Sequence, residues 1–182
     1  MKCTSCKQGE LKPSFIDGLF RAHTCDTCQG NWVFVEDYVA WLANNRDHDF
    51  GENQPVELSE TTSAMICPVS GAIMQKIKLA ADIQHKLDYS PAVAGIWLDK
   101  GEWELLKEHK LAGSLNKVLT RQWQKQIRAD HAKQTFNDLY EKKFGAERYQ
   151  KLKEFREWLV QQEDKSVLRA YLFADDPYAA DK

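Results

Sequence analysis

The chain is predicted to be α+β: two small β-hairpin units, each followed by a short helix, then a C-terminal α-helical arm or hairpin. Three observations carry this reading. Cys3-x-x-Cys6 and Cys25-x-x-Cys28 bracket a stretch of short apolar runs. A second stretch, from Cys67 to Glu102, has the same layout of turn, strands, turn and helix. Beyond Ser114 the apolar residues recur at helical spacing until Gly145.

In the first unit, predicted over 1–45, each Cys-x-x-Cys places two sulfurs on one tight turn. Leu11, Phe15, Ile16, Leu19 and Phe20 surround Asp17-Gly18, a strong hairpin signal between apolar runs. That hairpin returns Cys25 to Cys3, so Cys3, Cys6, Cys25 and Cys28 can meet at the corners of a tetrahedron, the geometry of a closed structural zinc site. A pair of disulfides and a rubredoxin-like iron site are alternatives that the spacing leaves open. Gly30 to Phe34 reads as a third strand. Tyr38, Trp41 and Leu42 then mark a helix with acids in its first turn, a lid that adds core to a unit otherwise short of apolar area.

Residues 46–63 are polar and acidic and are expected to form a linker; Asp47, His48 and Asp49 within it are read as a solvated loop. The second unit, over 64–112, opens at Cys67-Pro68 and closes on Pro91 and the run Gly95-Ile96-Trp97-Leu98-Asp99-Lys100-Gly101-Glu102. This pattern resembles the transcription factor IIB-type zinc ribbon family of small bacterial domains. Its members read Cys-Pro-x-Cys, a hairpin, then Cys-Pro-x-Cys-Gly-Gly-x-Trp-Leu-Asp-x-Gly-Glu. The resemblance implies two zinc-ribbon-like units in tandem. The first keeps the four thiols, Gly30 and Trp32, and the second keeps the Trp-Leu-Asp-x-Gly-Glu signature but has Ser70, Ser90 and Val93 where the family has cysteines.

A serine hydroxyl is a poor zinc ligand at neutral pH and valine is none, so one Zn2+ per chain is expected, in the first unit. The second must hold itself by packing, with Ile73, Met74, Ile77, Leu79, Ile83, Leu87, Trp97, Leu98, Trp103, Leu105 and Leu106 as its core. His85 and His109 are expected to be ordinary histidines rather than rescue ligands for Cys67, and Cys67 an idle thiol.

Residues 113–174 read as helical, beginning with one long helix in which Leu115, Leu119, Trp123 and Ile127, then Phe136, Tyr140 and Phe144, form a stripe. A second helix carries Tyr149, Leu152, Phe155 and Leu159, a third Val167 to Leu172, and an irregular tail is expected over 175–182. Trp123 and Trp158 are expected in the core. Lys117, Arg121, Lys125 and Arg128 line one side of the long helix, the single basic strip and the candidate nucleic-acid-binding residues. Residues 113–170 hold thirteen Lys or Arg against eight Asp or Glu, whereas the whole chain carries a net charge of −2, so only this segment suits a polyanion.

Met1-Lys2-Cys3 opens without an apolar run, and no stretch of about eighteen uncharged apolar residues follows. The cytoplasm is therefore the expected compartment, with reduced thiols and no membrane partner. No Gly-rich phosphate cradle, H-E-x-x-H or recognisable triad occurs, and four cysteines leave zinc no open position. The expectation is a non-enzymatic zinc-binding adaptor with no small-molecule substrate, whose helical arm docks a protein partner or its own copy. A nucleic-acid-associated or transcription-linked regulator is the second reading, and redox sensing by zinc release the third.

Overall fold

Asp17 and Gly18 adopt φ values of 48° and 71°, the doubly left-handed turn whose twist suits a hairpin. They join β1 (Leu11–Ile16) to β2 (Phe20–Cys25), and β3 (Asn31–Phe34) pairs on the far side of β2 before α1 (Val35–Asn44). The second hairpin repeats the order with β4 (Gln75–Lys78), β5 (Lys86–Ser90), β6 (Gly95–Leu98) and α2 (Glu102–Glu108). The computed structural model describes residues 1–51, 58 and 63–178. Most of the expected linker, 52–57 and 59–62, and the last four residues of the expected tail lie outside them.

The units predicted at 1–45 and 64–112 share one antiparallel six-stranded sheet, ordered β1-β2-β3-β6-β5-β4. Their third strands pair at its centre, Asn31 with Leu98, Trp32 with Trp97, Val33 with Ile96 and Phe34 with Gly95. Because side chains alternate along a strand, the sheet has two apolar faces. Ile16, Phe20, Ala22, Val33, Ile77, Leu87, Ile96 and Leu98 form one core with Tyr38 of α1 and Trp103, Leu105 and Leu106 of α2. Leu11, Trp32, Met65, Met74 and Trp97 form a second, together with Cys3, Cys25 and Cys67.

Contact across the centre is reciprocal. A Cβ on Gly95 would lie 2.0 Å from the Trp32 ring, and one on Gly30 would lie 2.3 Å from the Trp97 ring. Each unit's glycine thus makes room for the other unit's indole, and both indoles are fully buried.

Turns and helices tie the first core together. Asp17 Oδ2 accepts from Trp103 Nε1 at 2.8 Å and Lys107 Nζ at 2.7 Å, docking the first hairpin onto α2. The Tyr38 hydroxyl donates to the Ala112 carbonyl at 2.8 Å and accepts the Leu115 N–H at 3.3 Å, and burial pushes its pKa up to about 12.

The long helix expected from Ser114 is interrupted. A 3-10 turn (Ala112–Ser114) and the short α3 (Leu115–Val118) precede α4 (Arg121–Phe144). Between them the Thr120 hydroxyl donates to the Lys117 carbonyl at 2.7 Å and accepts the Trp123 N–H at 3.2 Å. This local bonding lets Thr120 start a new helix rather than continue the old one. Leu115 is buried, and Leu119 and Trp123 pack against the first core, with Trp123 Nε1 donating to the Leu79 carbonyl at 3.0 Å. Gln124 brackets the edge strand β4, accepting the Lys78 N–H at 3.3 Å and donating to the Lys78 carbonyl at 2.7 Å.

The chain divides into two compact units, Met1–His131 and Ala132–Lys182. The second comprises the end of α4, α5 (Ala146–Gln161) and α6 (Lys165–Phe173), with Gly145 at φ 80° closing α4 where the sequence places the stop. Tyr140 stacks on Phe144 at 5.8 Å, and the Tyr149 hydroxyl donates to Asn137 Oδ1 at 2.7 Å. Leu159 is buried, but Phe136, Leu139, Leu152, Phe155 and Trp158 are exposed. Two core expectations are thereby corrected. Trp158 stands half exposed on α5. Ile73 is 72% exposed because it lies outside β4, in an isolated bridge to Ile66. No helix among the described residues is long and apolar enough to cross a membrane.

Replacing Gly95 with alanine forces a methyl group into the Trp32 ring at the sheet centre, and overpacking of this kind costs about 1–3 kcal/mol. A urea titration followed by tryptophan fluorescence is expected to show a lower midpoint for Gly95→Ala. An unchanged midpoint would mean that the central contact is not tightly packed.

Candidate metal centre

The first turn carries Cys3 and Cys6 ahead of β1, and the second carries Cys25, at the end of β2, and Cys28. Register brings the two turns together, because Leu11 pairs with Cys25 and Lys2 bridges to Glu10. The residue after each second cysteine, Lys7 and Gln29, has φ 61°, which curls both turns toward a common point. Gly9 leaves the sulfurs room, since a Cβ there would lie 2.4 Å from Cys25 Sγ.

All four sulfurs lie within 4.8 Å of one another, with Cys3 to Cys28 at 3.6 Å and Cys6 to Cys25 at 3.7 Å. Thiolates held at the Zn–S distance of 2.3 Å in a tetrahedron stand about 3.8 Å apart. The donor set and its spacing therefore fit one Zn2+, held by Cys3, Cys6, Cys25 and Cys28, and no disulfide joins them. Backbone amides face the sulfurs as they do a thiolate cluster. Gly9 N–H points at Cys6 Sγ at 3.4 Å, while Thr27 and Cys28 N–H point at Cys25 Sγ at 3.4 and 3.5 Å.

The metal-free thiols differ in acidity. The amides of Gly9 and Gln8 hold the Cys6 pKa down to about 6, whereas burial pushes Cys3 and Cys28 up. A bound cation removes that difference by deprotonating all of its thiol ligands. With four protein ligands the zinc supplies structure, not an open coordination position.

His85 Nε2 pairs with Glu102 Oε1, and among the described residues neither His85 nor His109 joins Cys67 in a group able to hold a metal. Burial raises the Glu102 carboxyl above its ordinary value, an effect that His85 partly opposes. Cys67 is buried, and its sulfur accepts the Ser70 N–H at 3.4 Å. Burial acts to raise its pKa, but the hydroxyls of Ser70 and Ser90 and nearby amides outweigh it, so the thiol lies below its ordinary value.

Asp99 is a residue that the sequence reading left without a role. Its Oδ1 accepts Trp97 Nε1 at 2.7 Å and the Ser5 hydroxyl at 3.2 Å, while its N–H donates to Glu102 Oε2 at 2.7 Å. The Trp-Leu-Asp-x-Gly-Glu signature of the second unit thus grips the turn that carries Cys3 and Cys6. In the first unit Phe34 occupies the place of Asp99, and the buried Trp32 Nε1 has no hydrogen-bond partner among the described residues. The signature itself was the available signal, for it puts a carboxylate two residues after a buried indole.

The basic strip is divided. Lys117 lies on α3, and Arg121, Lys125 and Arg128 lie on α4; all four are exposed. Asp47, His48 and Asp49 are exposed, with the His48 ring against Trp41 and Phe50.

A three-stranded hairpin unit with two cysteine turns closing on one tetrahedral site is a zinc ribbon. Residues 2–44 match the transcription factor IIB-type zinc ribbon family, described as a transcription factor zinc-finger. Neither a curated protein nor a solved structure matches the chain.

Elemental analysis of reduced protein is expected to find one zinc per chain and none in Cys25→Ser. For small sites of this kind metal binding contributes on the order of 10–16 kcal/mol at neutral pH, so chelation is expected to unfold the first ribbon, read as loss of near-ultraviolet circular dichroism. Metal-free protein with an unaltered spectrum would show that the ion is not needed for folding.

Proposed function

We propose that the chain is a non-enzymatic, cytoplasmic adaptor in which a zinc-clamped sheet carries a helical arm that docks a protein partner. The observation that carries this reading is the second compact unit. Phe136, Leu139, Tyr140, Leu152, Phe155, Trp158, Val160, Val167, Tyr171, Leu172 and Phe173 are all exposed there. Large apolar side chains left in water on all three helices of one small unit offer a partner surface to bury.

The second β-unit is, in this reading, a tandem copy of the ribbon that has lost its metal. Its backbone supports this. Gly71 and Ala94, at φ 70° and 46°, follow Ser70 and Val93 as Lys7 and Gln29 follow Cys6 and Cys28. Cys67 N–H bonds to the Ala72 carbonyl at 2.8 Å as Cys3 N–H bonds to that of Gly9 at 2.9 Å. The triple variant Ser70→Cys, Ser90→Cys, Val93→Cys is therefore expected to bind a second zinc, counted by elemental analysis. A stoichiometry still at one in folded protein would argue against shared descent of the two sites.

One observation favours the nucleic-acid reading. Lys117, Arg121, Lys125 and Arg128 are exposed, and none of them has a carboxylate partner at ion-pair distance among the described residues. Affinity capture from the native host, with and without nuclease, separates the two. Proteins that stay bound after nuclease but are lost from Leu152→Ser/Trp158→Ser support the adaptor. Retention that disappears with nuclease, and with the four cations changed to glutamine, supports nucleic acid instead.

A further inference from the structure

Three of the four cations on α5 lie about its apolar side, and the fourth, Lys153, sits over the Tyr149 ring, 5.4 Å from its centroid. Leu152 and Phe155 are 46% and 42% exposed, with the Phe155 and Trp158 rings 5.6 Å apart. Arg148 stands one turn before Leu152 and two before Phe155, Lys151 one turn before Phe155, and Arg156 one turn after Leu152, so all three cations share that side. Glu157 lies away from it, Glu154 stands one turn before Trp158 at its margin, and Glu147, also at the margin, is bonded to Lys151 at 2.7 Å.

At the end of α4, Lys133 and Lys143 lie within one or two turns of Phe136 and Tyr140 on their side, while Lys142 falls one turn after Asp138 on the other.

We infer that the apolar and basic side of α5 docks an acidic peptide segment of a partner protein, with apolar anchors flanked by Asp or Glu. This rests on the adaptor reading and specifies its partner. Charge complementarity selects among the possible occupants. A second copy laid face to face would set Arg148, Lys151 and Arg156 against the same cations, an unfavourable juxtaposition. A lipid surface takes helices whose apolar side is continuous with cations at its margins, whereas Arg148 falls in line with Leu152 and Phe155. A carboxylate suits that position, because the guanidinium fork pairs with it bidentately, and Arg beside exposed aromatics is the composition of protein interfaces.

The test uses the zinc-loaded full chain and two synthetic amphipathic peptides with identical Leu and Phe anchors, one flanked by Glu and one by Lys. Fluorescence anisotropy is expected to show the Glu peptide binding at least about tenfold more tightly than the Lys peptide, with affinity falling as salt rises. Arg148→Glu/Lys151→Glu/Arg156→Glu is expected to reverse the preference, and the three glutamine changes to erase it, both at unchanged zinc content and helicity. Equal affinity for the two peptides, or a preference indifferent to charge reversal, would overturn the inference. So would binding to phosphatidylglycerol vesicles alone, or self-association in sedimentation that these substitutions strengthen. These results leave the adaptor reading standing; that reading fails on the host capture, if no nuclease-resistant protein depends on Leu152 and Trp158.

Discussion

Everything in the first compact unit depends on the pairing of β3 with β6. Each three-stranded unit alone has little apolar area from which to form a stable core. Joined, they make one sheet with a packed layer on each side: helices against one, the cysteine turns and the two indoles against the other. The reciprocal seating of Trp32 over Gly95 and Trp97 over Gly30 sets how closely the strands' side chains interlock there. It also accounts for the glycine and the tryptophan found at matching positions of the two units.

The cysteine site and the second unit are not independent. Ser5 lies between two zinc ligands and donates to Asp99, and Asp99 is held by Trp97 and Glu102. Met65, Met74, Cys67 and the partly buried Val93 of the second unit pack in the same apolar layer as the cysteine turns. One coordinated unit thereby braces one packed unit.

Local features of this fold were legible in the residues. The cysteine spacing located the site, Asp17-Gly18 located the turn, and Gly145 ended the helix it was expected to end. What could not be read was set by contacts between residues distant along the chain. Alternation of apolar residues describes β3 and β6 equally well whether or not they pair. Nothing local announces that Ser5 reaches Asp99 across 94 residues or that His85 finds Glu102. The interruption at Thr120 shows the reverse failure: the apolar spacing of Leu115, Leu119 and Trp123 continues through a point where one hydroxyl redirects the backbone. Ile73 is as apolar as its strand neighbours yet lies just beyond the ladder, so apolar character alone does not mark strand membership.

Using the third strands to join the ribbons also determines which backbone groups are left at the rims. The outer strands are β1 and β4. Pro13 has no N–H to offer along β1, and Gln124 occupies the Lys78 peptide groups of β4 as a neighbouring strand would. Both rims are thus blunted against stranger chains adding themselves edge to edge.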